Sequence, residues 1–273
     1  MIEDTAPLAP LVQFRPEYQK TPALLDVRVR RAMAHAADKQ AVIDVIYNGK
    51  GSTADTLLSR KEPYYSEMEQ AVSKYPLDPR RAEQYMNEAG FVKDREGLFV
   101  DGRGERFRPD YQALTSVDYQ RVQLVIADSW RNAGIDVQTN VLPNEQVRDD
   151  QVRHTYTGMS MPGSGAVNER MQLPYLTIAQ IGRPANRWKG SNRGGWSNSE
   201  YERLFESFNS TLVRSERNQQ VIQMMKIISD ELPTLPLYYN VYVIAAVANL
   251  SGPDVGVPDE TDYWNIHQWE LRG

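Results

Sequence analysis

Cysteine is absent from the 273 residues of the chain, and histidine occurs only three times. Without cysteine there can be no disulfide, thiolate zinc site, iron–sulfur cluster or cysteine nucleophile. No run of about 18 consecutive apolar residues occurs, so no membrane-spanning helix is predicted. The first ten residues, MIEDTAPLAP, lack the basic and apolar regions of a signal peptide. The protein is therefore expected either to stay in the cytosol or to lack an upstream segment.

A concentrated basic surface is also missing. The formal net charge is -5, and the 31 lysines and arginines are scattered along the chain. Binding to phosphate backbones needs a basic face, so nucleic acid is not a predicted partner. Hydrophobic residues make up 41% and charged residues 25%, as in ordinary globular proteins. One large domain or two modest ones could form, with a substantial core.

The stretch DVRVRRAMAHAADK (26–39) opens a predicted helix that continues to Gly49. Asp26 can accept hydrogen bonds from the first turn, and Gly49 can end the helix in a left-handed conformation. His35 and Asp38 are predicted to be neighbours in a polar, ion-paired surface of this helix. They supply only two of the three or four ligands that a zinc site needs. The apolar stripe of the helix contains Val29, Met33, Ala36, Ile43 and Tyr47.

Alternation of strand and helix signals predicts an α/β fold. FRPDYQAL (107–114) is typical of a strand, residues 116–134 of a helix, and IDVQTNVL (135–142) of a second strand. Further elements are predicted as helices over 78–90, 199–212 and 215–233 and as strands over 11–14 and 235–250.

No catalytic constellation is predicted. MPGSG (161–165) has Pro162 where a nucleophile elbow requires glycine, and the three histidines are isolated. The region 153–196 is rich in glycine, serine and asparagine, with Trp188 and Trp196 interleaved. Such a composition is typical of a long surface loop or of a ligand-facing region, and both interpretations stay open.

Five segments, taken in order, resemble the family 5 extracytoplasmic solute-binding proteins, the peptide- and nickel-type receptors of ABC importers. The first is DVRVRRAMAHAADKQAVIDVIYNGKG, which is similar to the signature helix of that family. The other four are YPLDPRRAEQYMNEAGF (75–91), WRNAGIDV (130–137), GGWSNSEYERLF (194–205) and DELPTLPLYYNVYV (230–243). Their order and spacing cover nearly the whole chain.

The resemblance implies an α/β fold, namely one lobe of a type II periplasmic-binding-protein fold with a mixed sheet flanked by helices. The N-terminal lobe of such a receptor would precede Met1. Residues 1–11 would then be a leader from the preceding lobe, residues 12–241 the C-terminal solute-binding lobe, and residues 242–273 a segment that returns to the other lobe.

The resemblance also implies a function without catalysis, cofactor or metal. The chain would bind a small polar solute, peptide-like or other, between two lobes and deliver it to an ABC permease in the membrane. The location would be periplasmic or extracytoplasmic, with a membrane anchor in the full-length protein. One alternative is the ligand-sensing domain of a transcriptional regulator. Another is a hydrolase in which His154 would serve as the base for Ser164.

The predicted ligand-binding residues lie in three segments, with Trp188 expected to stack on the solute and Arg193 to pair with an anion. Peptide-binding members carry a tryptophan and an aspartate in the loop that matches MPGSGAV (161–167), and this sequence has neither. Capture of a peptide ammonium group is therefore not implied, and peptides, sugars, opines and other small polar molecules stay open. The predicted set is Ser160, Met161, Gly163, Ser164, Trp188, Asn192, Arg193, Tyr238 and Asn240.

Overall fold

The computed structural model describes residues 2–161, 169–243, 245–253 and 263–272. Its helices are α1 Val27–His35, α2 Lys39–Tyr47, α3 Tyr65–Ala71, α4 Pro79–Glu88, α5 Val117–Ala133, α6 Asn144–Val147, α7 Asp150–His154, α8 Glu169–Gln172, α9 Ser199–Ser210 and α10 Arg214–Glu231. Its strands are β1 Ile2–Leu8, β2 Leu11–Val12, β3 Val92–Lys93, β4 Phe99–Val100, β5 Asp110–Leu114, β6 Gln138–Leu142, β7 Met159–Ser160, β8 Tyr238–Val243, β9 Leu250–Ser251 and β10 Glu270–Leu271. Within these ranges, no helix combines the length and apolar character that a bilayer crossing requires.

The central sheet is four-stranded and mixed, in the order β2-β7-β5-β6. β5 runs parallel to both β6 and β7, whereas β2 is antiparallel to β7 with Leu11 opposite Ser160. The predicted unit of strand, helix and strand is confirmed as β5, α5 and β6. β5 begins later than predicted because Pro109 has no N–H to donate to a neighbouring strand. The mixed sheet agrees with the fold class that the resemblance implies.

The single helix predicted over 26–49 is wrong, because the structure divides it into α1 and α2. Asp38 begins α2, and its side chain accepts a hydrogen bond from Ala41 N at 2.9 Å. Ser129 of α5 stabilises the break: its Oγ donates to Ala36 O at 2.7 Å and accepts from Asp38 N at 3.0 Å. The backbone groups freed by the break are thus satisfied by a residue distant in sequence. The cap at Asp26 is as predicted, whereas the left-handed cap of α2 is Asn48, followed by Gly49, whose φ is also positive.

The predicted surface pairing of His35 with Asp38 is also wrong. His35 is buried, with Nδ1 2.9 Å from the carbonyl oxygen of Pro76. Its ring packs between Tyr75 and Tyr85, at centroid distances of 5.2 and 5.9 Å. The histidine therefore joins α1 to the segment before α4 and to α4 itself.

β1 and β8 form a separate antiparallel pair, with Leu8 opposite Tyr238. The same two segments continue toward the central sheet, since Leu237 N donates to Leu8 O and Leu235 N donates to Pro10 O. The strand predicted over 235–250 is shorter than expected. β8 pairs with β1 as far as Ile2 and Val243, and residues 245–249 are exposed and lie outside any strand.

Two hydrophobic clusters form the core. The larger lies between α1, α5 and the central sheet, where Trp130 is fully buried and its Nε1 donates to Met33 O at 2.8 Å. Burial of a side chain of this size contributes on the order of 3 kcal/mol. The second cluster joins α3, α9 and α10. It contains the residues of α10 predicted to face the core: Val221, Met224, Met225 and Ile228.

Candidate functional site

The carboxyl ends of the parallel strands meet at one edge of the sheet, here called the carboxyl edge. β5 ends at Leu114, β6 at Leu142 and β7 at Ser160. In open α/β sheets, ligands bind outside the carboxyl ends of the strands. This edge is therefore the candidate ligand-binding site.

Ser160 and Met161 lie at the carboxyl edge, as a site there requires. Met161 N donates to Gln112 O at 2.8 Å, which holds the chain against β5 as it leaves the sheet. The side chain of Met161 is fully buried in the larger hydrophobic cluster, so it supports the edge from within the core. Ser160 is 9% exposed. The predicted residues Gly163 and Ser164 lie outside the described residues.

Tyr238 and Asn240 stand beside this edge on β8. The ring of Tyr238 is buried against Tyr47 of α2, with centroids 5.7 Å apart in an edge-to-face arrangement. Asn240 Nδ2 donates to Ala6 O at 2.7 Å, and its Oδ1 accepts from the Tyr47 hydroxyl at 3.5 Å. Val241 N also donates to the Tyr47 hydroxyl, at 3.3 Å. β8 and α2 thus present a connected row of hydroxyl and amide groups.

The amino end of α5 completes the edge, although none of its residues was among the predicted site residues. Ser116 begins the helix, yet its side chain makes no capping hydrogen bond. Asp118 and Tyr119 follow in the first turn. Burial raises the pKa of both Tyr47 and Tyr238, and the charge of Asp118 and the neighbouring Tyr119 raise it further. The signal for this part of the site was a serine placed between a strand and the helix after it.

A partly buried ion pair supports the β8 side of the edge. Lys39 Nζ donates to Asp55 Oδ1 at 2.9 Å and to Ala54 O at 2.7 Å. The segment carrying these acceptors is hydrogen-bonded to β8 and the residue before it, since Ala54 N donates to Leu237 O and Tyr239 N donates to Ser52 O. Burial lowers the pKa of Lys39, and Asp55 opposes that shift. The pair fixes the segment against which β8 is held.

Three predicted residues lie at the opposite, amino edge of the parallel strands: Trp188, Asn192 and Arg193. β2 runs antiparallel to β7, so the chain moves away from the carboxyl edge as it passes from Leu11 to Phe14. Phe14 N donates to Gly194 O at 2.7 Å. At about 3.3 Å per residue, this places Gly194 on the order of 10 Å from the carboxyl edge. The seven predicted residues that the structure describes therefore do not converge on one small site within this lobe.

Asn192 has a structural place at the amino edge. It is buried, and its Nδ2 donates to three carbonyl oxygens, those of Leu176, Thr177 and Trp196, at 2.8 to 3.1 Å. Its Oδ1 accepts from Gly195 N at 3.0 Å. Both polar atoms of the amide are thus used in holding the loop together, and neither is presented to a solute in this structure.

Arg15 ties Trp188 and Arg193 to the amino edge. Its guanidinium donates to Gly182 O at 2.9 Å and to Arg193 O at 2.8 Å, and also to the carbonyl oxygen of His154. The same guanidinium lies 5.7 Å from the ring centroid of Trp188. Burial, together with the nearby charge of Arg153, lowers the pKa of Arg193 to about 10.

Among the described residues, no three histidine or carboxylate side chains gather as metal ligands would. His154 is buried at the amino edge with Nδ1 2.6 Å from the carbonyl oxygen of Asp150. Ser164, the nucleophile of the hydrolase alternative, lies outside the described residues. Burial and the charges of Arg193 and Arg15 lower the pKa of His154.

A family model matches more than half of the chain and shows to which family the chain belongs. The family model described as "Bacterial extracellular solute-binding proteins, family 5 Middle" matches residues 10–179, more than half of the chain. The chain belongs to the bacterial extracellular solute-binding proteins, family 5. The match spans the carboxyl edge from β2 to the segment beyond β7 and includes Lys39 and Tyr47.

Curated relatives of this family 5 protein include two named for their ligands. Heme-binding protein A of Haemophilus influenzae is 26% identical over 222 residues, which are 79% of this chain and 37% of that protein. The dipeptide-binding protein of Escherichia coli is 25% identical over 80% of this chain and 38% of its own length. The chain thus spans well under half the length of these relatives.

Solved structures share the fold. An oligopeptide-binding protein of Thermus thermophilus, complexed with a pentapeptide, superposes with a TM-score of 0.73 at 24% identity, covering 88% of this chain and 43% of that one. NikZ of Campylobacter jejuni, in complex with Ni(L-His), gives a TM-score of 0.72 at 17% identity, covering 98% of this chain and 52% of that one. These likenesses establish the type II periplasmic-binding-protein fold for this lobe.

Proposed function

We propose that this chain is the C-terminal part of the substrate-binding component of an ABC importer. It binds a small polar solute between its carboxyl edge and a second lobe, and the loaded receptor delivers the solute to the membrane permease. The observation that carries the proposal is the carboxyl edge itself. There, Tyr47 is hydrogen-bonded to Asn240 and to Val241 N and packs against the ring of Tyr238, near Ser160 and the start of α5.

The chain is divided as the resemblance implies. Residues 1–11 are the leader from the preceding lobe, residues 12–241 form the C-terminal lobe, and residues 242–273 return to the other lobe. Support comes from the pairing of β1 with β8, which places the entering and leaving segments side by side. Two adjacent connecting segments would let a second lobe close on this one through small changes of backbone dihedral angles at a few residues.

The solute is a small polar molecule, bound without chemical change. Hydroxyl and amide groups dominate the carboxyl edge, and such groups fix the orientation of a polar ligand. The relatives are named for heme and dipeptide, and the solved structures contain a pentapeptide and a nickel–histidine complex. Since the loop 161–167 lacks the ammonium anchor of peptide-binding members, the solute of this chain need not be a peptide.

The full-length protein acts outside the cytoplasm and is held at the membrane. Membership in an extracellular family supports the first part. The alternative, a ligand sensor attached to a DNA-binding domain, would replace the secretion signal with a helix-turn-helix upstream. The relatives described above are named as binding proteins, which favours transport.

Calorimetry on the full-length receptor, titrated with the solute identified by mass spectrometry of the purified protein, tests the site. Asn240→Ala should weaken binding about tenfold, because it removes a polar contact and loosens Tyr47. Trp188→Ala should leave affinity within about twofold, because Trp188 lies at the amino edge. Asn132→Ala, an exposed asparagine near the end of α5, is the matched control. Unchanged affinity in Asn240→Ala, or a large loss in Trp188→Ala, would overturn the assignment.

A further inference from the structure

A surface groove of about 600 Å³ opens between α2, α5 and the segment that leads into α4. Its apolar lining includes Ala41, Val45, Leu77, Leu124 and Val125. Val45, Leu77 and Leu124 are each 50 to 56% exposed. Apolar side chains scattered singly over a surface are ordinary, whereas a contiguous set with a polar border indicates an interaction surface.

The two helices that form the walls of this groove run antiparallel. At one end, the Ser129 hydroxyl of α5 is hydrogen-bonded to Ala36 O and Asp38 N, where α2 begins. At the other end, burial and the nearby Asp118, at the start of α5, raise the pKa of Tyr47 at the end of α2. The wall from Asp38 to Val45 is about 10 Å long at 1.5 Å per residue. Apolar side chains at positions i, i+4 and i+7 of a helix span the same length, so the groove has the size for two turns of a docked helix.

The charged side chains that line the groove are both acidic. Asp38 and Asp128 lie at the same end, because Ser129, next in sequence to Asp128, is bonded to Asp38 N. None of the described residues lining the groove is a lysine or arginine. The neighbouring cations Lys39 and Arg121 pair with other carboxylates.

Neither aspartate of the groove forms an ion pair within the described part of the chain. Asp38 Oδ1 accepts from Ala41 N, and Asp128 Oδ2 accepts from the Asn132 amide. A carboxylate offers two oxygens and about four acceptor positions, so each can still accept from a cationic group. A two-fold contact with a second copy does not fit, since two concave faces cannot fill each other and aspartates would meet aspartates. Charge and shape therefore favour a basic, convex partner.

We propose that the groove between α2 and α5 binds an amphipathic helix of another protein, with leucine-type side chains at positions i, i+4 and i+7 and a lysine or arginine at one end. The apolar side chains pack on Val45 and Leu124, and the cationic group donates to Asp38 and Asp128. The docked helix lies alongside the two helices whose other ends border the carboxyl edge. It occupies a surface separate from the proposed solute cleft.

Fluorescence anisotropy with the full-length protein tests the proposal, with two synthetic helical peptides as probes. Both peptides carry leucines at positions i, i+4 and i+7, and they differ in having lysines or glutamates at one end. The lysine peptide should bind one per chain, at least about tenfold more tightly than the glutamate peptide. Leu124→Ser should weaken its binding about tenfold, because a half-exposed leucine is lost from the groove. Leu212→Ser, at a leucine 97% exposed between α9 and α10, is the matched control and should bind as the unchanged protein does.

Asp128→Asn tests the acidic end of the groove without removing apolar surface. It should weaken binding of the lysine peptide several-fold, whereas Glu216→Gln, which removes the same charge from an exposed residue of α10, should not. The proposal is overturned if the lysine peptide does not bind, or if Leu124→Ser and Leu212→Ser bind it alike, because an acidic surface would then attract cations without a defined groove. It is also overturned if sedimentation reveals a dimer that Leu124→Ser dissociates, since a second copy would then be the occupant.

Discussion

Replacing Lys39 with methionine tests how the β8 side of the solute cleft is held. The Lys39 side chain is 11% exposed, and its ammonium group makes two hydrogen bonds, to Asp55 and to Ala54 O. Methionine has a similar volume, so the change removes the charge and both bonds with little cavity. Breaking a fully buried ion pair costs roughly 3–5 kcal/mol. The Asp55 side chain is 29% exposed and keeps part of its hydration, so we expect a loss of about 2 kcal/mol.

Urea unfolding followed by circular dichroism measures this loss. A double-mutant cycle with Asp55→Asn separates the pair's own coupling from the hydrogen bond to Ala54 O. Lys50→Met, at an exposed lysine just beyond α2, is the control and should change the free energy of unfolding by less than about 0.5 kcal/mol. Burial of the ammonium group lowers the pKa of Lys39, and this desolvation offsets part of the stability that the two hydrogen bonds contribute. A Lys39→Met protein as stable as the original, with zero coupling to Asp55, would refute the reasoning.

Three further predictions concern stability. Burial raises the pKa of Tyr111 and Tyr201 above the value of about 10 in the unfolded chain, so the folded state keeps the proton longer. Their contribution to the free energy of unfolding is complete below pH 10 and falls above it by about 1.4 kcal/mol per tyrosine and pH unit. Urea titrations between neutral pH and pH 11 would detect this fall, and an unfolding free energy independent of pH over that range would contradict the prediction. Asn192→Ala should cost about 3 kcal/mol in the free energy of unfolding, because it leaves buried carbonyl oxygens without donors; a loss under 1 kcal/mol would show that water replaces the amide. Gly134→Ala should cost about 2–3 kcal/mol by thermal unfolding, because φ is +102° and the added Cβ would lie 2.5 Å from Gly97 O; an unchanged midpoint would mean that this turn relaxes.

Much of the fold was predictable because it depends on local pattern. α5 ends at Gly134 in a left-handed conformation, and the strand before it, β5, alternates as half-buried strands do. The break between α1 and α2 was not predictable in this way. It depends on Ser129, which reaches Ala36 and Asp38 from a helix about ninety residues further along the chain.

The candidate site was less predictable, because composition does not show which edge of a sheet a segment reaches. Trp188 and Ser160 belong to one glycine- and serine-rich region, yet the register of β2 against β7 places them at opposite edges. Tyr238 and Asn240 were predicted to share one strand, and both lie on β8. Tyr47 and Ser116 were overlooked because their roles depend on packing of α2 and α5 beside β8, which no short motif records.

The structure of the full-length receptor with its co-purified solute tests the central claim most directly. We predict that the solute lies between the lobes, at the carboxyl edge, within hydrogen-bond distance of Asn240, Tyr47 or the start of α5. Trp188 should lie beyond contact distance of that solute. A solute stacked on Trp188 at the amino edge, with Asn240 and Tyr47 untouched, would contradict the account.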